Sequence, residues 1–409
     1  MEQRSNTIAE PNKTPVLTTT RQVPANSIMA RIFLAFLTTA GIFYINIMPA
    51  VINGLKEGLH FSNQQAGFVS SANLYGAALG ALSAVFLIKR INWRSWAYSL
   101  LMALIIIDLS CIFIENPTMM ILIRSIHGLT GGLLVGIGFA IISRTREADK
   151  TFGYLLLIQW GLGGLGIMYL PALVPEYGTS ALFISLMTFT VVTLFMLPFL
   201  PNYSVTNSRD EQQQVTEIKR KPLLMNLLTI FLFQAANMGL FAYMISLGKA
   251  EGLPLEFMSN SLGIASWVAL FGAFLVIVIG TKFGRALPLI FAILLTALCS
   301  WLLHFSEIAE VYLITNIIIG ITWAFVLPYL FGICAELDKA GQMAAMGGFA
   351  SKMGLASGPM VAALLFTSDG SGAGNSYALM INLAVIGLIV SAIVVVQPAR
   401  LLDKMVSKF

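Results

Sequence analysis

Twelve apolar stretches run along the chain, at roughly 29–52, 64–88, 95–114, 118–143, 152–174, 180–200, 223–247, 258–280, 286–304, 311–333, 344–367 and 377–396. A helix needs about 20 apolar residues to cross a bilayer, and each stretch is close to that length. Most of the polar breaks between them are very short, so neighbouring stretches are predicted to form antiparallel helical hairpins. One break is long. Residues 201–222 hold Arg-Asp-Glu-Gln-Gln-Gln and Lys-Arg-Lys and read as a cytoplasmic linker. It divides the chain into a six-helix bundle over 29–200 and a second over 223–396. Residues 1–28, rich in Thr, Asn, Pro and Ser, read as a disordered tail, and 397–409 as a second tail. The predicted fold class is an all-α membrane protein of twelve transmembrane helices in two six-helix bundles. Pro49 and Pro328 are expected to kink the first and tenth helices, because proline removes a backbone hydrogen bond.

Composition agrees with a polytopic membrane protein. The chain is 57% hydrophobic and 11% charged, against about 25% charged residues in a soluble domain. The placement of charge gives an orientation. With both termini cytoplasmic, 20 of the 24 Lys and Arg residues fall on inside segments. Only Lys56 and Lys249 fall in outside loops, and Arg124 and Lys352 lie within the membrane. That asymmetry satisfies the positive-inside rule and suits a bacterial inner membrane. The basic residues lie in short loops and not on one polar face, which argues against nucleic-acid binding. Cys111, Cys299 and Cys334 are odd in number and separated within apolar runs, so neither a disulfide framework nor a metal site is expected. No cleavable signal peptide is read, since the first apolar run is full length.

The two halves repeat. At a shift of 192 residues Gly80 falls on Gly272, Arg90 on Lys282, Gly128 on Gly320 and Arg124 on Asn316. At 193, the run 159–164 falls on 352–357. Two pseudo-symmetric halves are a transporter plan, with the solute site between them near the bilayer midplane.

Arg124 lies six residues inside the fourth stretch. A cation in hydrocarbon costs at least about 2.5 kcal/mol by insertion scales, so it either turns to a polar interior or snorkels to the interface. Gly128, Gly131, Gly132 and Gly136 follow it at helical spacings and suit close helix approach. Asp108 and Arg124 are symmetric about the turn at Asn116, which puts them at similar depth on one hairpin. An Asp–Arg pair lowers the penalty on each charge, as a static pair or as one that opens or takes up a proton. His127 is one turn from Arg124 and titrates in the physiological range, so it is either a proton-coupling group or a hydrogen-bonded packing residue.

The chain resembles the major facilitator superfamily over 29–396, and three pieces carry the likeness. Arg124-Ser-Ile-His-Gly128 matches the superfamily's fourth-helix pattern of arginine, three residues, glycine. Thr281-Lys-Phe-Gly-Arg285 matches the basic loop between the eighth and ninth helices. Lys89-Arg-Ile-Asn-Trp-Arg94 is its counterpart between the second and third, with Lys89 at the usual acidic position and Asn92 at the usual glycine. The fifth helix carries Gly161 to Gly166 but lacks the Gly-Pro of the antiporter signature.

The resemblance implies alternating access by rocking of the two bundles. Arg90, Arg94, Lys282, Gly284 and Arg285 become the gating-loop residues. It also puts Lys352 and its repeat mate Gln159 on cavity-lining helices. Lys352 then either binds an anionic group of a solute or snorkels to the cytoplasmic face. Further candidate solute contacts are Tyr44, Asn46, Asn73, Tyr75, Trp160, Gln234, Asn237, Trp267, Asn316, Trp323 and Tyr329.

Other chemistries find no support. Gly161 to Gly166 reads G-x-G-x-x-G, yet it lies inside a membrane helix with no strand before it. There is no G-x-x-x-x-G-K-[ST], H-E-x-x-H or G-x-S-x-G, and no cofactor or metal is expected. The reading is a secondary transporter of a small organic solute, proton-driven and working as a monomer in a lipid bilayer. With Arg124 and Lys352 in the membrane and no acid in the first, fifth, seventh or eighth helices, an anionic or neutral solute is favoured over a lipophilic cation. An uncoupled facilitator, a drug exporter, a membrane-embedded enzyme and a non-transporting sensor are the competing readings.

Overall fold

The computed structural model describes residues 22–88, 90–203, 220–280, 282–337, 342–366 and 373–406. Lys89, Thr281, the tail over 1–21 and most of the linker (204–219) lie outside the described residues. Among the described residues there are sixteen α-helices: α1 (Ile28–Ala40), α2 (Phe43–Asn46), α3 (Met48–Leu59), α4 (Asn63–Leu87), α5 (Trp93–Cys111), α6 (Pro117–Ile142), α7 (Ala148–Tyr177) and α8 (Ser180–Met196), then α9 (Arg220–Ala242), α10 (Met244–Ala250), α11 (Leu255–Val268), α12 (Leu270–Ile279), α13 (Ala286–Leu302), α14 (Ala309–Leu337), α15 (Gln342–Leu365) and α16 (Ala373–Val406).

These make twelve crossings. The first is α1–α3, the seventh α9–α10 and the eighth α11–α12; each of the others is one helix. Ten of the twelve are long and apolar enough to span a membrane. The first falls short because it is broken, and the eleventh, α15, because Gly347, Gly348, Ser351, Lys352, Gly354, Ser357 and Gly358 dilute it. The protein is an integral, multi-pass membrane protein. We call the end bearing Arg90 and Arg285 the basic face and the end bearing His60 the far face.

The first crossing is predicted as one kinked helix over 29–52, yet it breaks twice, at Gly41 and at Ile47, and continues to Leu59. The first break lies at a close contact with α6. Gly41 lies so close to the Gly131 carbonyl of α6 that a Cβ would collide with it. The second has a local cause: Pro49 occupies the first turn of α3, where a missing N–H leaves nothing unsatisfied. Pro328 lies inside α14 without ending it.

The sequence repeat reappears as repeated packing. Gly128 meets Asn73 and Ala77, and Gly320 meets Ala265 and Ala269, each residue 192 positions on. In the same way Gly80 meets Leu129 and Gly272 meets Ile321. Gly166 meets Ile47, and Gly358 meets Gly239. Lipid supplies no hydrophobic drive for helices to associate, so close backbone approach at glycines holds both bundles together.

The described ends are more ordered than composition suggests. Val23 donates to the Phe199 carbonyl at 2.9 Å, and the Tyr203 hydroxyl to that of Ala25 at 3.1 Å, which pins residues of the expected tail to the end of α8. α16 runs through 397–406 as helix. Its Asp403 accepts from the backbone N–H groups of Arg285 (2.7 Å) and Ala286 (3.0 Å), capping α13. Gly284, at φ 71°, makes the turn that presents them.

Candidate functional site

Two groups of predicted site residues come together, and they are separate. The first is a charged cluster inside the first bundle. Arg124 is 0% exposed, and its Nη1 donates to Asp108 Oδ1 at 2.7 Å. The guanidinium lies 4.4 Å from the centre of the Tyr44 ring and 5.8 Å from that of Phe183. Arg124 therefore turns into the bundle and not to the interface. His127 Nε2 lies 3.3 Å from the same Asp108 oxygen. Asn73 bonds the Arg124 carbonyl (3.1 Å) and His127 Nδ1 (2.9 Å), and Tyr44 pairs with Ser70 at 3.3 Å. Asp108 Oδ2 and Arg124 Nε and Nη2 are buried without a hydrogen-bond partner among the described residues. Unpaired polar atoms of this kind are expensive in a dry interior. With its charge offset by Asp108 and no exposed surface, Arg124 offers nothing to a solute in this conformation.

The second group lies where the halves meet, midway along its helices. Gln234 donates to Ser351 at 2.6 Å and accepts from the Trp323 indole at 2.6 Å. Trp323 packs edge-on against Trp160 of the other half (6.5 Å) and against Phe241 (5.9 Å). Lys352 follows Ser351 on α15, a third of a turn away from the α9-facing side that Ser351, Gly354 and Gly358 share. It is half-buried, and among the described residues its amino group has no hydrogen-bond or ion-pair partner. Its repeat mate Gln159 is buried on α7. Asn46 ends α2 against Gly163.

Tyr75 and Trp267 are repeat mates, and both clasp the opposite half. The Tyr75 hydroxyl pairs with Ser357 at 2.8 Å, and the Trp267 indole donates to the Gly161 carbonyl at 3.0 Å. They form the seam between bundles. Asn237 and Asn316, predicted beside them, instead donate to carbonyls of their own helices, Phe233 and Tyr312, each at 2.8 Å. Tyr329 donates to the Gly280 carbonyl at 2.5 Å.

Sequence reasoning missed a set of contacts at the far face. Lys249 pairs with Glu57 at 2.5 Å, Lys56 donates to Ser246 at 3.0 Å, Asn63 to Tyr377 at 3.3 Å, and Tyr243 to the Asn63 carbonyl at 2.9 Å. All four join the two halves. On the basic face the named contacts stay within one half. Arg94 bonds the Leu200 carbonyl, Arg285 meets Glu336 at 3.1 Å, and Arg31 pairs with Glu147. A hydrogen bond from Lys150, with Arg31 beside it, holds the Glu147 carboxyl below its usual range. Arg90 and Lys282 are exposed. Asn92, where the family has glycine, accepts from the Arg94 and Ser95 N–H groups and so caps α5.

The family model described as Major Facilitator Superfamily matches residues 32–363. Among solved structures the chain is similar to a point mutant of the nucleoside transporter NupG, with TM-score 0.73 and 12% identity over 90% of this chain and 99% of that one. It is also similar to a D-xylose–proton symporter, with TM-score 0.70 and 15% identity over 89% and 97%. At these identities the likeness is one of fold. Among curated proteins none matches the chain in sequence.

Proposed function

The chain belongs to the major facilitator superfamily, and from that premise we propose that it is a proton-coupled secondary transporter of a small organic anion. Lys352 carries the reading. An ammonium group within a membrane helix costs at least about 2.5 kcal/mol unless something compensates it. No acid meets Lys352 among the described residues, so the counter-charge arrives with the solute. Ser351, its neighbour on α15, bonds Gln234, and the same group of residues holds the apolar rings of Trp160, Trp323 and Phe241.

Coupling is assigned to the buried cluster of Asp108, Arg124 and His127, in which the carboxyl and the imidazole are the groups able to take up a proton. The contacts between halves run from the far face to midplane, which supports a state closed at the far face and open toward the basic face. Under the positive-inside rule that state faces the cytoplasm, with both termini inside the bacterial inner membrane. The related proteins in the comparison include a xylose–proton symporter, which makes proton coupling a natural reading for this fold. One chain supplies both halves of the site, so the monomer is the working unit.

The test is a thermal-shift screen of the purified protein with small carboxylates, sulfonates, organic phosphates and lipophilic cations, followed by uptake of the hits into proteoliposomes. Stabilisation and uptake of an anion that Lys352→Met weakens support the reading. Saturable uptake of a lipophilic cation that no anion competes with overturns it.

A further inference from the structure

Asn73 determines where the buried cluster holds its protons. Its Nδ2 lies 3.1 Å from the Arg124 carbonyl and 2.9 Å from His127 Nδ1. The Arg124 carbonyl only accepts, so the amide must present its nitrogen there; a reversed amide would set two acceptors against each other. That nitrogen only donates. His127 Nδ1 is therefore an acceptor and carries no proton. In a neutral imidazole the proton then sits on Nε2, the nitrogen that faces Asp108 Oδ1 at 3.3 Å. A second proton on the ring would have to displace the Asn73 N–H. It would also create a second cation beside the Arg124 guanidinium, one helical turn away.

The carboxylate has room that the imidazole lacks. Arg124 Nη1 and His127 Nε2 both address Oδ1, while Oδ2 is buried with no hydrogen-bond partner among the described residues. The other groups facing the cluster are the Tyr44 and Ser70 hydroxyls, the Cys111 thiol and the Phe183 ring, and none of them brings a formal charge.

We propose that a proton entering this cluster binds Asp108 at Oδ2, with Asn73 as the positioning residue that keeps His127 neutral. The proposal rests on the proton-coupled reading above. The step is an addition: a hydronium ion gives its proton to an Oδ2 lone pair, one O–H bond forms, and water leaves. The net charge of the Asp108–Arg124 pair rises from zero to +1. Arg124, whose Nε and Nη2 are already unpaired, then lacks a counter-charge. In a conformation that uncovers Arg124 an anion supplies it, so proton and anion travel together and in the same direction.

The experiment uses the full chain in nanodiscs with nitrogen-15-labelled histidine. Only three histidines contribute signals, and His127→Gln identifies the one that matters. The expected wild-type spectrum shows His127 as the Nε2–H tautomer from about pH 8 down to about pH 5, a range in which a free imidazole titrates. Infrared difference spectra over that range are expected to gain a protonated-carboxyl band that Asp108→Asn loses. Asn73→Leu is expected to release Nδ1, giving mixed tautomers and a ring that titrates. An Nδ1–H tautomer in the wild type overturns the proposal, as does imidazolium formation without the carboxyl band. A His127 spectrum unchanged by Asn73→Leu overturns the role of Asn73. Proton movement with solute is read separately in proteoliposomes. If it is absent, the coupling reading fails, while the spectra still decide which atom holds the proton.

Discussion

Glu57 and Lys249 occupy the same place in the two halves, 192 residues apart, and pair with each other at 2.5 Å. A pseudo-twofold axis brings equivalent positions face to face where it leaves the molecule. Identical charges there would repel, and here the two halves carry opposite signs. The pair is partly exposed, with side chains 55% and 40% accessible, and exposed ion pairs contribute about 0.2–1 kcal/mol. Such an energy is too small to hold the fold but large enough to bias two states, by up to about fivefold at 25 °C.

Reversing one charge is therefore expected to open the far face. Glu57→Lys should lengthen the distance between spin labels placed on α3 and α10, and the exchange Glu57→Lys with Lys249→Glu should restore it. Equal distance distributions in the wild type and in Glu57→Lys would show that the pair has no part in closing the halves.

The Asp108–Arg124 pair behaves differently, because both charges are buried. Removing one partner strands the other, at about 3–5 kcal/mol. Arg124→Gln alone is expected to lower the melting temperature of the detergent-solubilised protein more than Arg124→Gln combined with Asp108→Asn does. A double variant as unstable as the sum of the two single ones would contradict a direct pairing.

Gly128 touches Asn73 so closely that any Cβ meets the Asn73 backbone oxygen, which has nowhere to go. Gly128→Val is expected to destabilise by about 1–3 kcal/mol, the usual range for overpacking. It should also disturb the Asn73–His127 contact held at the same crossing. A thermal melt checks the first effect and the histidine spectrum the second.

Lys352→Met keeps the length of the side chain and removes its charge. Hydrogen bonds to charged groups contribute about 1.5–3 kcal/mol, so anion binding is expected to weaken roughly 10- to 150-fold. Lys352→Arg is expected to recover part of it. Isothermal titration with an anion from the screen checks both variants.

The crossings were legible because an apolar run of bilayer length has few other uses. The Asp108–Arg124 meeting was legible from their equal distance to Asn116, since a hairpin fixes depth. The breaks at Gly41 and Ile47 were less so: the run is apolar through the first break, where Gly41 meets Gly131 on another helix. Amides were the least readable. Asn73 bridges two helices, whereas Asn237 and Asn316 bond their own, and nothing in the residue type separates these cases. Tyr75 and Trp267 looked like solute contacts because aromatic groups at midplane suit both a cavity and a seam. The Glu57–Lys249 pair was latent in the repeat, where the shift of 192 already superposes an acid on a base.

The most direct measurement of the account is uptake of an anion from the screen into proteoliposomes containing a pH-sensitive dye. Protons are predicted to move with the anion and in the same direction, at a rate that an imposed pH gradient changes, and Asp108→Asn is predicted to lose that movement. Anion uptake that proceeds with no proton movement, and at the same rate with or without the gradient, would contradict it.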